Sequence, residues 1–593
     1  MLACGCGSGG GGEAIDAGRA GDAPQAGDGG NSACIEGLET LAITPGSQTV
    51  TVDAGAPQDI VLTAEGTFAG GDERAIDGER LRWEVSRDDD TPPGTITAGV
   101  LSPNPGTGGE LTVTATDGCA RAEATVTLVL DAVVGMTQSP ADWEGQPVTD
   151  GAPAIVYPSA ETLFPRNIYG TLFQWTAAGA SEFRLTFTGP GSHVVVYTDG
   201  VHPDCAGAAG AGCWEAEQQA WTFIAASNAG ETVTVTVDAL DRTTTPPTVR
   251  RSAPIDIEFS RRDVDGAIFY WSTTSAGVRR AYIEDNEPDD YIAGKPPTTY
   301  TNPDDAVKCV ACHVVSRDGK YMVAPVDATS GQSLWIMQVT KDAPPDPLIK
   351  VVDETRGHGF ATISPDDTYV AAAWKGAMWV VDRESGTFIE DIPLGGLDGT
   401  QPDWSPTNAE LVFATGDGDA PADASIATIS FGGIGTWGTP KTIVAAAGGS
   451  TNLFPMFSPE GDWVAFARGD KGGHNDLSTQ LFVVPSTGGD AVELVRANRV
   501  VSNQMTDGLH ENSMPTWAPP GDLQWIAFNS ERAYGVVLAD GEQQQIWVAA
   551  VDLSGTSSGQ DPSYPAFRLQ FQGLHEDNHR AYWTLDIRHP SPE

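Results

Sequence analysis

From residue 38 onward, apolar residues recur at every second position in short runs, and Gly, Pro, Asp and Asn separate the runs. Leu41/Ile43, Val50/Val52, Leu81/Trp83/Val85, Leu111/Val113 and Val126/Leu128/Leu130 each put apolar side chains on one face of a strand. The turn-rich stretches DDDTPPG and SPNPGTGG part them, so 38–131 reads as a small β-sandwich. Residues 132–255 open on a Pro/Gly-rich linker, SPADWEGQPVTDGAP. They continue with the strand-like segments TLFQWTAAGASEFRLTF, HVVVYTDG, ETVTVTVDAL and PIDIEF, which predict a second sandwich. His193 and His202 stand alone near turns there and read as solvated.

From about residue 256 the chain repeats. An apolar strand ends in Ser-Pro-acidic-Gly or a variant, and a second apolar strand follows. The copies are ATISPDDTYVAAAW at Ser364, PDWSPTNAELVFA at Ser405, PMFSPEGDWVAFA at Ser458, PTWAPPGDLQWIAF at Ala518 and HVVSRDGKYMVAP at Ser316. A degenerate sixth, IEFSRRDVDGAIFYW, lies at Ser260. Steps of 56, 48, 41, 53 and 60 residues suit one four-stranded propeller blade with variable loops. Third strands follow as LWIMQV, MWVVDR, LFVVPS and IWVAAV, and AYWTLDI near the C-terminus is placed to complete a blade and close the ring.

These repeats resemble the blades of TolB-type propellers, a family that implies six blades. The phrases LAITPGSQTVTVDAG and ELTVTATDGCARAEATVTLVL resemble a bacterial immunoglobulin-like surface domain. The expected architecture is all-β: a tether over 1–37, sandwiches over 38–131 and 132–255, and a six-bladed propeller over 256–593. Propellers host many functions, so the fold alone does not choose one.

Composition narrows the functions. The 593 residues include 80 Asp and Glu against 33 Lys and Arg, a net charge of −47. Such a surface repels phosphate backbones and anionic headgroups, which argues against nucleic acid as a partner. Leu2-Ala3-Cys4 before a Gly-rich stretch resembles the end of a bacterial lipoprotein signal, with Cys4 as the lipidated residue. The expectation is that a signal segment precedes Met1, and that the protein sits in the cell envelope on an outer-membrane lipid anchor. Cys205 and Cys213 bracket a flexible AGAAGAG loop, and Cys34 and Cys119 sit near the two ends of the first sandwich. Both pairs are expected as disulfides, and so imply an oxidising compartment.

Cys309-Val310-Ala311-Cys312-His313 is the strongest chemical signal. Composition alone expects roughly 0.002 CxxCH matches in the chain. Two thiols at this spacing can add to the two vinyl groups of one haem, and the adjacent His then supplies an axial nitrogen to the iron. The motif therefore reads as the attachment site of one covalent haem c through Cys309 and Cys312, with His313 as the proximal ligand. A plain disulfide, a redox pair and a zinc site are the rival readings. This sequence resembles envelope proteins of environmental bacteria that join TolB-like repeats to CxxCH. An ordinary cytochrome c surrounds its motif with helices, whereas here the motif lies on a propeller strand entering the SRDG turn.

That strand is expected to line the central channel. A distal ligand would then come from corresponding residues of other blades: His358 first, then His510, Met514 or Met456. Two further motifs are weak. GTSSG at 555–559 matches a nucleophile elbow but opens no helix. Asp417, Asp419 and Asp423 could offer oxygen to Ca²⁺, but their spacing departs from the EF-hand and a solvated acidic loop is the plainer account. The function expected is electron transfer or haem-dependent sensing with a redox or protein partner. The alternative is a haem-free scaffold that holds a protein or glycan.

Overall fold

In a computed structural model of the chain, the described residues are 34–588 less 90, 136–139, 152, 178, 276, 284, 286, 293–306, 311, 329–330, 342–355, 357–358, 419, 472–475, 500–509, 539–542 and 555–559. The side chains of 150, 307–309 and 326–333 also lie outside the description. The chain divides into two compact units. One holds the described residues up to Val156 together with Phe164–Asp263, and the other holds Tyr157–Leu163 and the described residues from Val264 on.

The first unit is organised by one long strand, Arg121–Val134. It pairs antiparallel with Gly109–Thr116 and parallel with Ser47–Asp53. It then runs on to pair parallel with Ser192–Thr198, Leu130 facing Ser192 and Val134 facing Val196. The period-two burial of Ala124, Val126, Leu128, Leu130 and Ala132 explains why it does not stop at 131. The boundary expected between two sandwiches therefore falls inside a continuous strand. The expected linker supplies a strand too, Val148–Asp150, parallel to Thr248–Arg251. Disulfides join Cys34 to Cys119 (Cα–Cα 5.5 Å) and Cys205 to Cys213 (6.5 Å).

The second unit is a ring of six antiparallel sheets, five of them four-stranded and blade two, its split first strand counted once, three-stranded among the described residues. Blades three to six are each built from four consecutive strands, opening at Phe360, Gly399, Thr451 and Asn512. Blade two opens at Val307, and its first strand is split into Val307–Val310 and Val314–Val315, both paired with Tyr321–Ala328. Blade one takes Ala267–Ser272, Gly277–Tyr282 and Pro288–Ile292 from its own stretch of chain. Its innermost strand is Asn578–Thr584, from the far end of the molecule. The first strands of successive blades are neighbours all the way round, Asn578–Thr584 lying beside both Val314–Val315 and Asn512–Trp517, so the ring is closed. The degenerate repeat at Ser260 does not open it. Ile255–Phe259 pairs with Thr232–Asp241 in the first unit, and the propeller begins at Val264 rather than 256. The Ser260 hydroxyl donates to the Arg262 carbonyl instead of bridging two strands of a blade.

The repeat signature has a physical basis in its serine. In blades two, three and five the buried hydroxyl of Ser316, Ser364 or Ser458 donates to an Asp in the turn, Asp318, Asp366 or Asp462 (2.7, 2.6 and 2.9 Å). It also accepts from the first backbone N–H of the next strand, at Tyr321, Tyr369 or Trp463 (3.0, 2.8 and 3.1 Å). One small side chain thus satisfies a turn carboxylate and a strand terminus together.

Two measurements follow. Deleting residues 578–593 leaves blade one without its inner strand. The truncated chain is expected to lose the cooperative thermal transition of the propeller, and a transition within a few degrees of the full chain would refute closure by this strand. Asp367, in the turn of blade three, is raised to about 7 by burial, with the neighbouring Asp318 carboxylate adding to the shift. A carboxylate raised in the folded state stabilises below its ordinary value near 4, and that contribution is lost as pH climbs through about 7. Melting between pH 4 and 7 should therefore fall less steeply with rising pH in Asp367→Asn than in the parent.

Candidate functional site at the central channel

Five of the six inner strands break register at the same place. In blade four Thr400 faces Ala414 and Asp403 faces Val412, so 401 and 402 together oppose one residue. Blade five repeats this between Leu453 and Met456, blade six between Ser513 and Thr516, and blade one between His579 and Tyr582. In blade two 311–313 lie between the pairs Val310–Val326 and Val314–Val323. Each is a β-bulge, which re-aims side chains. At each, one non-glycine residue is left-handed: Cys312 (φ +53°), Gln401 (+52°), Phe454 (+52°), Met514 (+51°) and Arg580 (+48°). All five stand four residues before the residue that opens the turn: Ser316, Ser405, Ser458, Ala518 and Thr584. A left-handed non-glycine costs on the order of 1–3 kcal/mol and persists only where its surroundings over-determine it. Blade three lacks the bulge, and Phe360 holds the equivalent place. In blades four to six the next residue is Pro402, Pro455 or Pro515, which forfeits no N–H where the ladder is already broken.

These residues converge. Phe360 and Phe454 pack edge to face at 6.2 Å, and Cys312 and Met514 pack against the same cluster. Gln401, Phe454, Met456, Met514, Arg580 and Tyr582 line a channel pocket, together with the prolines, Asp403 and Thr516. Arg317, from the turn of blade two, reaches Asp403 of blade four at 2.9 Å and the carbonyl of Trp404 at 3.0 Å. Asp403 Oδ2 also accepts from the Phe457 N–H at 2.8 Å. Burial raises the Asp403 carboxyl, and Arg317 opposes that shift.

The CxxCH segment lies at the bulge of blade two. Cys312 is half-buried against the channel cluster. His313, expected to face the channel, is instead fully buried toward blade one, its ring edge-on to Tyr582 at 5.6 Å. Simple alternation fails there, because the left-handed residue just before His313 redirects the strand. Neither imidazole nitrogen makes a hydrogen bond of normal geometry. Burial holds the ring neutral, down to about 3; the nearby Phe269 backbone opposes that shift and the Arg580 charge adds to it. As a test of fit to haem c, the donor set is right and the imidazole makes no hydrogen bond of normal geometry, but its face is sealed by packing. Cys309 is in register with Asp327, and its side chain lies outside the described residues, as do Cys4, His358, Asp419 and the GTSSG loop. Met456 and Met514 line the pocket, whereas His510 is not among its lining residues. Among the described residues no group of three or more His, Cys, Asp or Glu is arranged to hold a metal ion, and no helix is long and apolar enough to cross a membrane.

Sequence reasoning passed over Gln401, Arg580 and Tyr582. Counting four residues back from each turn residue would have found the first two, had Thr584 been recognised as the sixth turn position.

No protein-family model and no curated protein matches the chain. Among solved structures it is similar to a putative TolB from Agrobacterium tumefaciens (16% identity over 52% of this chain and 89% of that one, TM-score 0.30). It is also similar to TolB from Acinetobacter baumannii (12%, 60% and 80%, TM-score 0.36) and to the Kuenenia stuttgartiensis hydrazine synthase (14%, 52% and 81%, TM-score 0.31). At these levels the likenesses add nothing to the six-bladed ring, which rests on the strand pairings themselves.

Replacing Arg317 by Met would leave Asp403 buried without its cation. The expected loss is about 3 kcal/mol of propeller stability at pH 7, and less at acid pH, since burial favours the protonated form of Asp403. A pH-independent loss below 1 kcal/mol in denaturant titrations would show that the pair does not hold the channel together.

Proposed function

We propose that this chain is an exported propeller protein that carries one c-type haem on blade two and serves electron transfer or haem-dependent sensing. The Cys309–Cys312–His313 spacing carries the proposal. A fully buried imidazole that makes no hydrogen bond of normal geometry supports it, because burial of poorly paired polar groups is costly unless another partner takes them up. Cys309 and Cys312 would hold the porphyrin and His313 the iron, and the bound group supplies one-electron chemistry. Since the His313 ring is sealed against Tyr582, attachment would have to precede the closing of blade two on blade one. Met514, which packs on the same cluster as Cys312, is the favoured sixth ligand, ahead of His358. Two disulfides support export into an oxidising compartment. Lipidation at Cys4 would complete the anchor to the outer membrane.

The test is full-length expression in a host that matures c-type haems. The denatured polypeptide should stain for haem, and Cys309→Ser/Cys312→Ser should abolish the stain. A low-spin reduced spectrum that turns high-spin in Met514→Ala, but not in His358→Ala, would assign the sixth ligand. Matured protein without covalent haem would refute the reading. A haem-free scaffold would then remain, and the channel pocket favours that second reading.

A further inference from the structure

We infer that Arg580 and the channel pocket around it bind a small carboxylate. Arg580 is 8% exposed. Its Nη2 donates to the Tyr582 hydroxyl at 2.9 Å, while its buried Nε has no acceptor, and no carboxylate among the described residues pairs with it. Its other neighbours are aromatic faces, Phe360 at 5.0 Å and Tyr582 at 5.4 Å from the guanidinium carbon. Two other buried arginines have their charge answered by carboxylates: Arg166 meets Asp89 and Asp263, and Arg280 meets Asp289. Arg568 and Arg532 are instead held by several neutral acceptors, Gln545 and the Gln572 carbonyl for the first, Ser530, Asn512 and the Ala497 carbonyl for the second.

A buried cation with a donor left over, in a protein of net charge −47, is not short of acids it could have recruited. Asp403 lines the same pocket, but Arg317 and the Phe457 N–H already hold it. The guanidinium fork fits a carboxylate. The remaining walls are mixed, with Phe454, Met456, Met514 and three prolines beside Gln401, Thr516 and the Tyr582 hydroxyl, and a cavity of about 20 Å³ suits a small ligand. The strained bulge that fixes Arg580 at φ +48° aims it at this space. Two sources share this chemistry, a haem propionate and a diffusible monocarboxylate, and the inference stands without the haem reading.

The experiment is calorimetric titration of acetate into the full chain, prepared both haem-free and after haem maturation. The haem-free chain is expected to bind saturably. Arg580→Met should weaken binding at least tenfold (about 1.4 kcal/mol) with no loss of melting temperature, since an unpaired buried charge has been removed. Arg580→Lys should weaken it less. Inorganic phosphate should bind at least tenfold more weakly than acetate. Binding by the haem-free chain alone assigns the site to a propionate, and binding by both forms assigns it to a diffusible ligand. If Arg580→Met does not fold, Arg580→Gln takes its place. No saturable binding by the haem-free chain, or undiminished binding in the Arg580 variants, overturns the inference. A chain that never takes up haem still tests it through the haem-free arm.

Discussion

The propeller depends on a pairing between its two ends, Asn578–Thr584 against Ala267–Ser272. The described strands of every other blade come from local sequence. Blade one must wait for a strand about three hundred residues away, and without it the first strands of blades two and six lose a neighbour. The closing strand is fastened at both ends. Thr584 Oγ1 donates to the Ser316 carbonyl at 2.8 Å and so joins blade one to blade two, while Thr273 N donates to the Asp577 carbonyl at 2.8 Å. Trp583 Nε1 reaches the Asp265 carbonyl at 2.8 Å. Local blades with one long-range lock combine easy nucleation with a large loop-closure cost at the last step.

The same closure builds the channel site. Arg580 and Tyr582 belong to the closing strand, Cys312 and His313 to blade two, and Phe360, Gln401, Phe454 and Met514 to blades three to six. Each blade contributes one residue at the same height, and five of those six are held left-handed without glycine. A ring of bulges spends stability in the inner strands, where regular ladders would have been available. That expense is intelligible if the side chains it turns inward serve a ligand.

The blades were legible in the sequence because their two signals are local: alternation at period two, and a serine that must satisfy a turn and a strand end together. Ser316, Ser364 and Ser458 could be found without coordinates for that reason. Ser260 misled, because the same letters precede a strand whose partner is Thr232–Asp241. Thr584 was missed because a threonine followed by Leu-Asp bears little likeness to Ser-Pro-Asp. The site was only half legible. Cys312 and Met514 were named from chemistry and strand position. The burial of His313 was not foreseeable, because a bulge breaks the alternation by which a strand's inward and outward faces are counted. Gln401 and Arg580 carry no motif at all; only register places them.

The strand Arg121–Val134 has a mechanical consequence. Its neighbours Ser47–Asp53 and Ser192–Thr198 both run parallel to it, and they overlap end to end near Leu130, which pairs with Val52 on one side and Ser192 on the other. A tensile load along this strand would strain many ladder hydrogen bonds in shear at once, where a hairpin pulled at its open end peels rung by rung. The junction near residue 131 therefore resists extension and bending together, as a splice in a beam does, where a flexible linker would have given a hinge.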